Sequence, residues 1–362
     1  MLQIEPQSRD ALDLLALGEV MLRLDPGEHR IRNARSFQAW EGGGEYNVAR
    51  GLRKCFRLRT AICTALVANE IGYLVEDLIQ QGGVDTQWIK WVPFDGVGRN
   101  SRNALNFVER GFGLRAPLGN SDRAYSPTSQ LQPDDFDWPA IFAQVRPRWF
   151  HTGGVFTALG LGTPGVATKA VEQARAGKTV VSFDLNYRPS LWSCVADPEH
   201  LRGKNREIMA QAQVVFADPN SARACLGIKV PDLGPEAGAE VTFKSMAMAL
   251  LEKFPNLCAV GGTHRVGGSM NEQQFQGFLW ENGQIHRSQV WTQVASLDRI
   301  GSGDAFAAGV IYGLMEKSDP QWAVDLGTAH AILTTTTPGD NSMASLEDLV
   351  AILSGVAGLI RR

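Results

Sequence analysis

The chain has 362 residues, 44% of them hydrophobic and 20% charged, with a formal net charge of −3. That is enough apolar material for one large α/β domain or two smaller ones, and the near-neutral balance gives no global attraction to nucleic acid or to an acidic membrane. Five cysteines (Cys55, Cys63, Cys194, Cys225 and Cys258) stand without CxxC pairing, which excludes an obvious zinc site or disulfide framework and suits reduced thiols in a cytoplasm.

The N-terminal MLQIEPQSRDALDLLALGEV carries acids inside its apolar run and lacks a basic n-region, so it does not read as a signal peptide. No apolar run approaches the ~20 residues of a membrane span. LLALGEVML then reads as a strand. In QAWEGGGEYNVARGLRK, Gly42, Gly43 and Gly44 cannot be helix interior, whereas Asn47, Val48 and Leu52 begin a helical pattern. Such a cluster is either a tight turn into a helix or a bare backbone that a polyol can approach while Asn47 hydrogen-bonds its hydroxyls. TAICTALV is the next strand and GYLVEDLIQQG the next helix. Residues 98–130 lack helical periodicity and predict a short hairpin with a long loop, better suited to a lid than to a core.

RPRWFHTGG, KTVVSFDLN, AQVVFAD and LCAVGG follow as buried strands, with helical patterns such as VATKAVEQARAG and FKSMAMALLEKF between them. Alternation of this kind predicts a parallel sheet covered by helices, with ligands where the strands end. Two nucleotide-like motifs fall away. GLGTPG (160–165) satisfies GxGxxG, but its first glycine comes several residues after the strand end near Gly153. Gly177-Lys178-Thr179 resembles the end of a P-loop, but position 172 is Glu where that loop needs Gly, so Gly177 reads as a helix C-cap. In VSFDLNYRPSLW, by contrast, Asp184, Asn186 and Arg188 stand at i, i+2 and i+4 as a buried strand ends, which projects them to one side if the chain stays extended. Polar side chains there meet a ligand or one another, and an Asp184–Arg188 salt bridge is the plainer alternative.

Near the C-terminus, SQVWTQVAS reads as a strand, and RIGSGDAFAAGVIYGL as a turn followed by a helix with its apolar face at Ala305, Ala308, Ile311 and Met315. The Gly301, Ser302 and Gly303 amides then form an anion site at the helix start. Asp304 beside that site is either a helix cap or a group that acts on something next to the anion, such as an alcohol presented to a phosphoryl group.

Together, GGGEYNVARGL, FDLNYRPSLW and DRIGSGDAFAAGVIYGL resemble the ribokinase-like, or PfkB, sugar kinase family. Within it, GEVMLRLDP, DDFDW and RWFHTGG look closest to 2-keto-3-deoxygluconate kinases, and the similarity runs from about residue 16 to the C-terminal IRR. The resemblance implies an α/β, ribokinase-like three-layer fold with a mostly parallel central sheet. It implies a single domain over residues 1–362, with a small β lid built from segments near 19–40 and 98–130. It makes Asp304 the general base and the Gly301, Ser302 and Gly303 amides the anion hole. It puts the sugar near Gly43, Gly44, Asn47, Arg102, Arg123, Asn186 and Arg188. ATP is implied near Thr263, Gly301, Gly303 and Asn341, with Mg²⁺ near Asp184 and Asp218, and a monovalent cation is left open. Asp218-Pro219-Asn220-Ser221 departs from the family's Asn-x-x-Glu, with Asp218 as a substitute outer-shell ligand, and GGTHRVGGSMNEQQ departs from its usual adenine-side pattern.

Arg23, where many neutral-sugar kinases of the family have Asp, joins Arg102, Arg123 and Arg188 as a cationic set suited to a sugar acid; solvated lid arginines are the plainer reading of Arg23 and Arg102. The expected activity is ATP-dependent phosphorylation of 2-keto-3-deoxygluconate or a related keto sugar acid. A fructokinase or other sugar kinase of the family is the alternative within the class, and a non-catalytic sugar-binding regulator the alternative outside it. The expected partner is a small sugar or sugar acid, with no nucleic acid and no membrane, in a cytoplasmic homodimer formed through exposed lid strands.

Overall fold

Successive side chains of a strand point to opposite faces, and strand β1 (Leu14–Leu17) buries both sets. Leu14 and Ala16 belong to one apolar core, Leu15 and Leu17 to a second. A strand buried on both faces belongs between two helical layers. This computed structural model describes residues 2–355 apart from 9, 235–236, 268–272 and 317–318. Part of GGTHRVGGSMNEQQ and the C-terminal IRR therefore lie outside the described residues.

The remaining strands are β2 (Met21–Asp25), β3 (Gln38–Gly42), β4 (Thr60–Ala68), β5 (Ile89–Pro93), β6 (Leu105–Glu109), β7 (Leu118–Asp122), β8 (Trp149–Gly153), β9 (Val180–Asp184), β10 (Val214–Phe216), β11 (Ala259–Val266), β12 (Gln273–Glu281), β13 (Gln284–Arg287) and β14 (Trp291–Val294). Ten of the fourteen form one sheet in the order β13-β12-β11-β10-β9-β8-β1-β4-β5, with β14 also on β12. From β11 to β5 every neighbouring pair is parallel. β12, β13 and β14 finish that edge antiparallel. The other four strands make a separate sheet, β3-β2-β6-β7, which is the lid. Its two central strands are parallel and place Arg23 beside Asn106.

The helices are α1 (Gly44–Lys54), α2 (Glu70–Gln81), α3 (Trp138–Val145), α4 (Gly154–Thr157), α5 (Thr163–Ala176), α6 (Pro189–Trp192), α7 (Pro198–Met209), α8 (Pro219–Leu226), α9 (Ala239–Lys253), α10 (Ser302–Met315), α11 (Pro320–Thr334) and α12 (Leu346–Leu353). Val48 of α1, Ile311 of α10 and Val324 of α11 pack into the first core. Phe142 of α3, Ala170 of α5, Ile208 of α7 and Met246 of α9 fill the second. The result is the three-layer α/β architecture that the sequence implies.

Two elements differ from the sequence reading. LLALGEVML is not one strand: β1 lies in the large sheet and β2 in the lid, joined by Gly18, Glu19 and Val20 alone. Both pieces are buried, so hydrophobicity runs through the bend without marking it. The β12–β13 hairpin escaped notice, although it turns on Asn282-Gly283, both at positive φ (50° and 84°), the standard demand of a two-residue hairpin turn.

Candidate active site

The turn before α10 depends on Gly301. Its φ is 79°, and a Cβ there would stand 1.7 Å from the Asp340 carbonyl oxygen, so both conformation and space require glycine. The chain then enters α10 at Ser302, leaving the first helical amides without intrahelical acceptors at the positive end of the helix. Asp304, in that first turn, is buried, and its Oδ2 accepts a hydrogen bond from Asn47 Nδ2 at 2.7 Å. Asn47 Oδ1 in turn accepts from the Gly43 amide at 3.3 Å. A Cβ on Gly44 would lie 3.2 Å from Asn186 Nδ2 and 3.6 Å from Asp304 Oδ1. The three clusters read from the sequence therefore meet at one point.

They meet in a cleft of about 1250 Å³ roofed by lid residues such as Met21, Asn106 and Asn120. A pocket for one small ligand is usually about 300–1,000 Å³, so this cleft has room for two substrates side by side. Gly43, Gly44 and Asn47 line it from the start of α1, Asn186 and Arg188 from the segment after β9, and Thr263 from β11. Gly301, Ser302, Gly303 and Asp304 line it from the turn, and Asp184 and Asp218 from the ends of β9 and β10. The extended run expected over 184–188 is broken at Asn186, whose φ is 33°, yet all three polar side chains still reach the cleft. No Asp184–Arg188 ion pair forms among the described residues within 4 Å; Arg188 acts on Asp184 and Asp304 through its field alone.

The carboxyl groups carry the clearest electrostatic signature. Burial pushes Asp304 up to about 6, with the Asn47 hydrogen bond and the Arg188 charge pulling it back and Asp340 adding to the rise. Burial, and then the Asp304 charge, pushes Asp184 up to about 7. Glu45 reaches about 8, chiefly through burial, with Asp304 and Asp184 adding. Three mutually repelling carboxyls lining one cleft suit hydroxyl donors.

Of the four arginines expected around a sugar acid, two are elsewhere. Arg102 does not line the cleft; it is half-exposed, pairs with Asp122 at 3.6 Å and lies over the Tyr125 ring. Arg23 is buried beneath the lid against Asp25, Asp298 and Asp340 and is not a solvated lid residue either. Arg123 lines the cleft but is paired with Glu19 at 2.6 Å. Of the four, Arg188 alone lines the cleft without an ion-pair partner among the described residues. Asn341 is also off the cleft wall, buried with its Oδ1 lacking a hydrogen-bond partner.

Three cleft residues were missed in the sequence. Glu45 was hidden because an acid in the first turn of a helix is ordinary. Arg265 and Arg299 come from segments with no common sequence signal, yet both line the cleft beside the α10 N-terminus. Neither has an ion pair among the described residues, and Arg265 Nη2 donates to Ser302 Oγ at 2.8 Å. Burial, then the neighbouring Arg299 charge, lowers Arg265 to about 10. Two guanidiniums without carboxylates at a helix start make an anion site.

Among the described residues no group of three or more His, Cys, Asp and Glu is placed to hold a metal ion. One Asp218 carboxylate oxygen caps α8, accepting from the Asn220 and Ser221 amides at 2.8 and 3.1 Å, and the Ser221 hydroxyl donates back to the Asp218 carbonyl oxygen at 2.8 Å. The Asp184 carboxylate accepts from the Asn186 amide at 3.1 Å and otherwise faces the cleft. Hard oxygens in this number fit Mg²⁺ brought in on phosphates and steadied by one or two carboxylates.

The family model described as pfkB family carbohydrate kinase matches residues 148–347. The chain is 31% identical to the crystal structure of 2-dehydro-3-deoxygluconokinase from Thermotoga maritima, with a TM-score of 0.85 and coverage of 95% of this chain and 100% of that one. It is 25% identical to 2-dehydro-3-deoxygalactonokinase of Haloferax volcanii, over 95% of this chain and 97% of that one. It is also 25% identical to 5-dehydro-2-deoxygluconokinase of Shouchella clausii, over 97% and 98%.

Proposed function

Because the chain belongs to the pfkB family of carbohydrate kinases, and is thus a phosphotransferase with an alcohol acceptor, we propose that it phosphorylates a hydroxyl of 2-keto-3-deoxygluconate or a related keto sugar acid. Kinases of this family use ATP with Mg²⁺. The observation that carries the reading is the convergence of Asp304, Asn47 and Gly44 at the anion-binding turn, with Arg188 unpaired in the same cleft. The names of the three relatives, each a kinase of a dehydro-deoxy sugar, support the keto and deoxy features.

In this reading the sugar lies between the lid and the start of α1, where Gly44, bare beside Asn186 and Asp304, admits it. Asn47 holds Asp304, which orients the acceptor hydroxyl and takes its proton late in transfer; a loose phosphoryl-transfer transition state asks for alignment and charge neutralisation more than for a strong base. The amides at Gly301, Ser302 and Gly303, with Arg265 and Arg299, receive the negative charge of the phosphoryl group. Asp184 and Asp218, which line the cleft at the strand ends, would steady a phosphate-bound Mg²⁺, and that ion would neutralise nucleotide phosphate charge. Thr263 contributes the nucleotide side.

A second reading, a neutral-sugar kinase such as a fructokinase, is favoured by one observation: Arg23 and Arg102 leave the cleft and Arg123 is already paired. A coupled ADP-release assay across sugar acids and neutral sugars separates the two. We expect the highest kcat/KM on 2-keto-3-deoxygluconate; preference for fructose or ribose would replace the keto-acid reading and leave the kinase standing. The assembly we propose is a homodimer through the lid, where Phe112, Leu114 and Leu118 are exposed. A cytoplasmic setting suits the five free cysteines, and no helix among the described residues is long and apolar enough to cross a membrane.

A further inference from the structure

Arg23 belongs to the lid by sequence and to the catalytic turn by contact. It sits on β2, near the middle of the four-stranded sheet, with Trp40 on one side and Asn106 on the other. Its side chain is 1% exposed, and its guanidinium reaches three carboxylates. Nη1 donates to Asp340 Oδ1 at 2.6 Å, while Nη2 donates to Asp298 and, at 3.0 Å, to Asp25. Asp25 is shared with Arg110, whose Nε donates to it at 2.8 Å.

The two distant partners bracket the turn. Asp298 Oδ1 accepts from the Ile300 amide at 3.2 Å, immediately before Gly301, and its Oδ2 accepts from Gly339 at 3.3 Å. The Asp340 carbonyl oxygen occupies the place a Cβ on Gly301 would take. Its carboxylate lies against Gly42, where a Cβ would stand 2.2 Å from Oδ2, and its charge is felt at Asp304. One guanidinium therefore holds the turn from in front through Asp298 and from behind through Asp340. On the other side, Asn106, directly across the ladder from Arg23, lines the cleft.

We propose that Arg23 is a positioning residue that ties the lid sheet to the phosphoryl-transfer turn, so that the turn takes its working geometry from the lid strand beside the bound sugar. The proposal rests on the reading of Asp304 and its turn as the reacting centre. A buried arginine held by two carboxylates from separate segments has a planar fork that an ammonium cannot reproduce. A small displacement of a reacting group costs rate more than affinity.

The test uses Arg23→Met, close to arginine's apolar stem in length, with the sugar that gives the highest kcat/KM in the ADP-release assay. We expect kcat to fall by roughly tenfold to a hundredfold while both KM values stay within about threefold. Millimolar guanidinium chloride should restore part of the lost kcat, and equal sodium chloride should not. Hydrogen exchange supplies a readout independent of turnover. Sugar alone should protect amides in 105–123 and in 300–306 of the unaltered protein, but only those in 105–123 of the variant. Unchanged kcat, or protection of 300–306 that survives the substitution, would overturn the proposal. Should Arg23→Met fail to fold, Asp298→Asn carries the same test, since it keeps an oxygen for Ile300 and turns an NH₂ toward the guanidinium; wild-type kcat in that variant would likewise overturn it. Asp304→Asn with Arg23 intact isolates the underlying reading: full turnover there removes the base, whatever Arg23 does.

Discussion

In the proposed mechanism the chemistry at residue scale depends on a carboxyl that is buried yet must be ionised. With Asp304 raised to about 6, kcat/KM should be flat above neutrality and fall as pH drops through about 6, because the protonated form cannot accept the hydroxyl proton. Asn47→Ala removes the hydrogen bond that favours the anion, so that limb should move up by about half to one pH unit; an unmoved limb would mean another group sets it. Asp304→Asn should lower kcat by roughly a hundredfold or more with ATP and sugar binding kept within a few-fold, checked by single-turnover kinetics and calorimetry. Arg265 offers a different kind of test. If it and Arg299 hold nucleotide phosphates, Arg265→Gln should weaken ADP and ATP by about tenfold or more and leave AMP and sugar binding nearly unchanged. Equal loss on AMP would move its role to the nucleoside. Neither arginine was legible in the sequence, because nothing local in GGTHR or DRIGSG says that strand and turn will adjoin. Gly301, Asp304, Asn47 and Asn186 were legible, because glycine clusters and polar side chains at the ends of apolar runs have few other uses.

The elements were read most securely where periodicity and burial coincide. TAICTALV became β4 and VATKAVEQARAG, up to its C-cap Gly177, lies within α5, because each is long enough to repeat its pattern. The lid was read as a hairpin and loop in 98–130, and β6–β7 is that hairpin; its other half, near 19–40, came from the family resemblance alone, because LLALGEVML reads straight through the bend between β1 and β2. Arg23 was misjudged for the same reason. Its partners lie at 25, 298 and 340, and pairing across such separations leaves no trace in spacing. The lid gives its own prediction. Saturating sugar should slow hydrogen exchange at 105–123 by about tenfold or more, since closure excludes water from the roof of the cleft. Demonstrated sugar binding with unchanged exchange there would put the pocket elsewhere.

For the whole molecule, the three raised carboxyls link stability to pH. Glu45, Asp184 and Asp304 each hold a proton more tightly folded than unfolded, so the folded chain binds more protons between about pH 4 and pH 8. Stability from this source is complete below the ordinary carboxylate range and is lost as pH climbs through about 6, 7 and 8. The ligand-free protein should therefore melt roughly 2–5 °C higher near pH 5.5 than near pH 8.5, and Glu45→Gln should flatten that slope; a melting temperature that rises with pH would contradict the cleft's electrostatics. The way the lid is attached has a mechanical consequence as well. Gly18, Glu19 and Val20 alone connect β1 to β2, and Gly43 alone connects β3 to α1, whereas residues 94–104 lead into β6 and a long stretch follows β7. At about 3.3–3.6 Å per residue, the short links leave β2–β3 almost no travel. The roof is thus held by short links at β2–β3 and by longer ones at β6–β7, so we expect it to open by peeling at β6–β7 and not by swinging as a plate. On the proposed function that loosely linked hairpin is the exchangeable part of the molecule, and we expect a grafted or lengthened 105–122 to change which sugar is gripped while the anchored half keeps its hold on the turn.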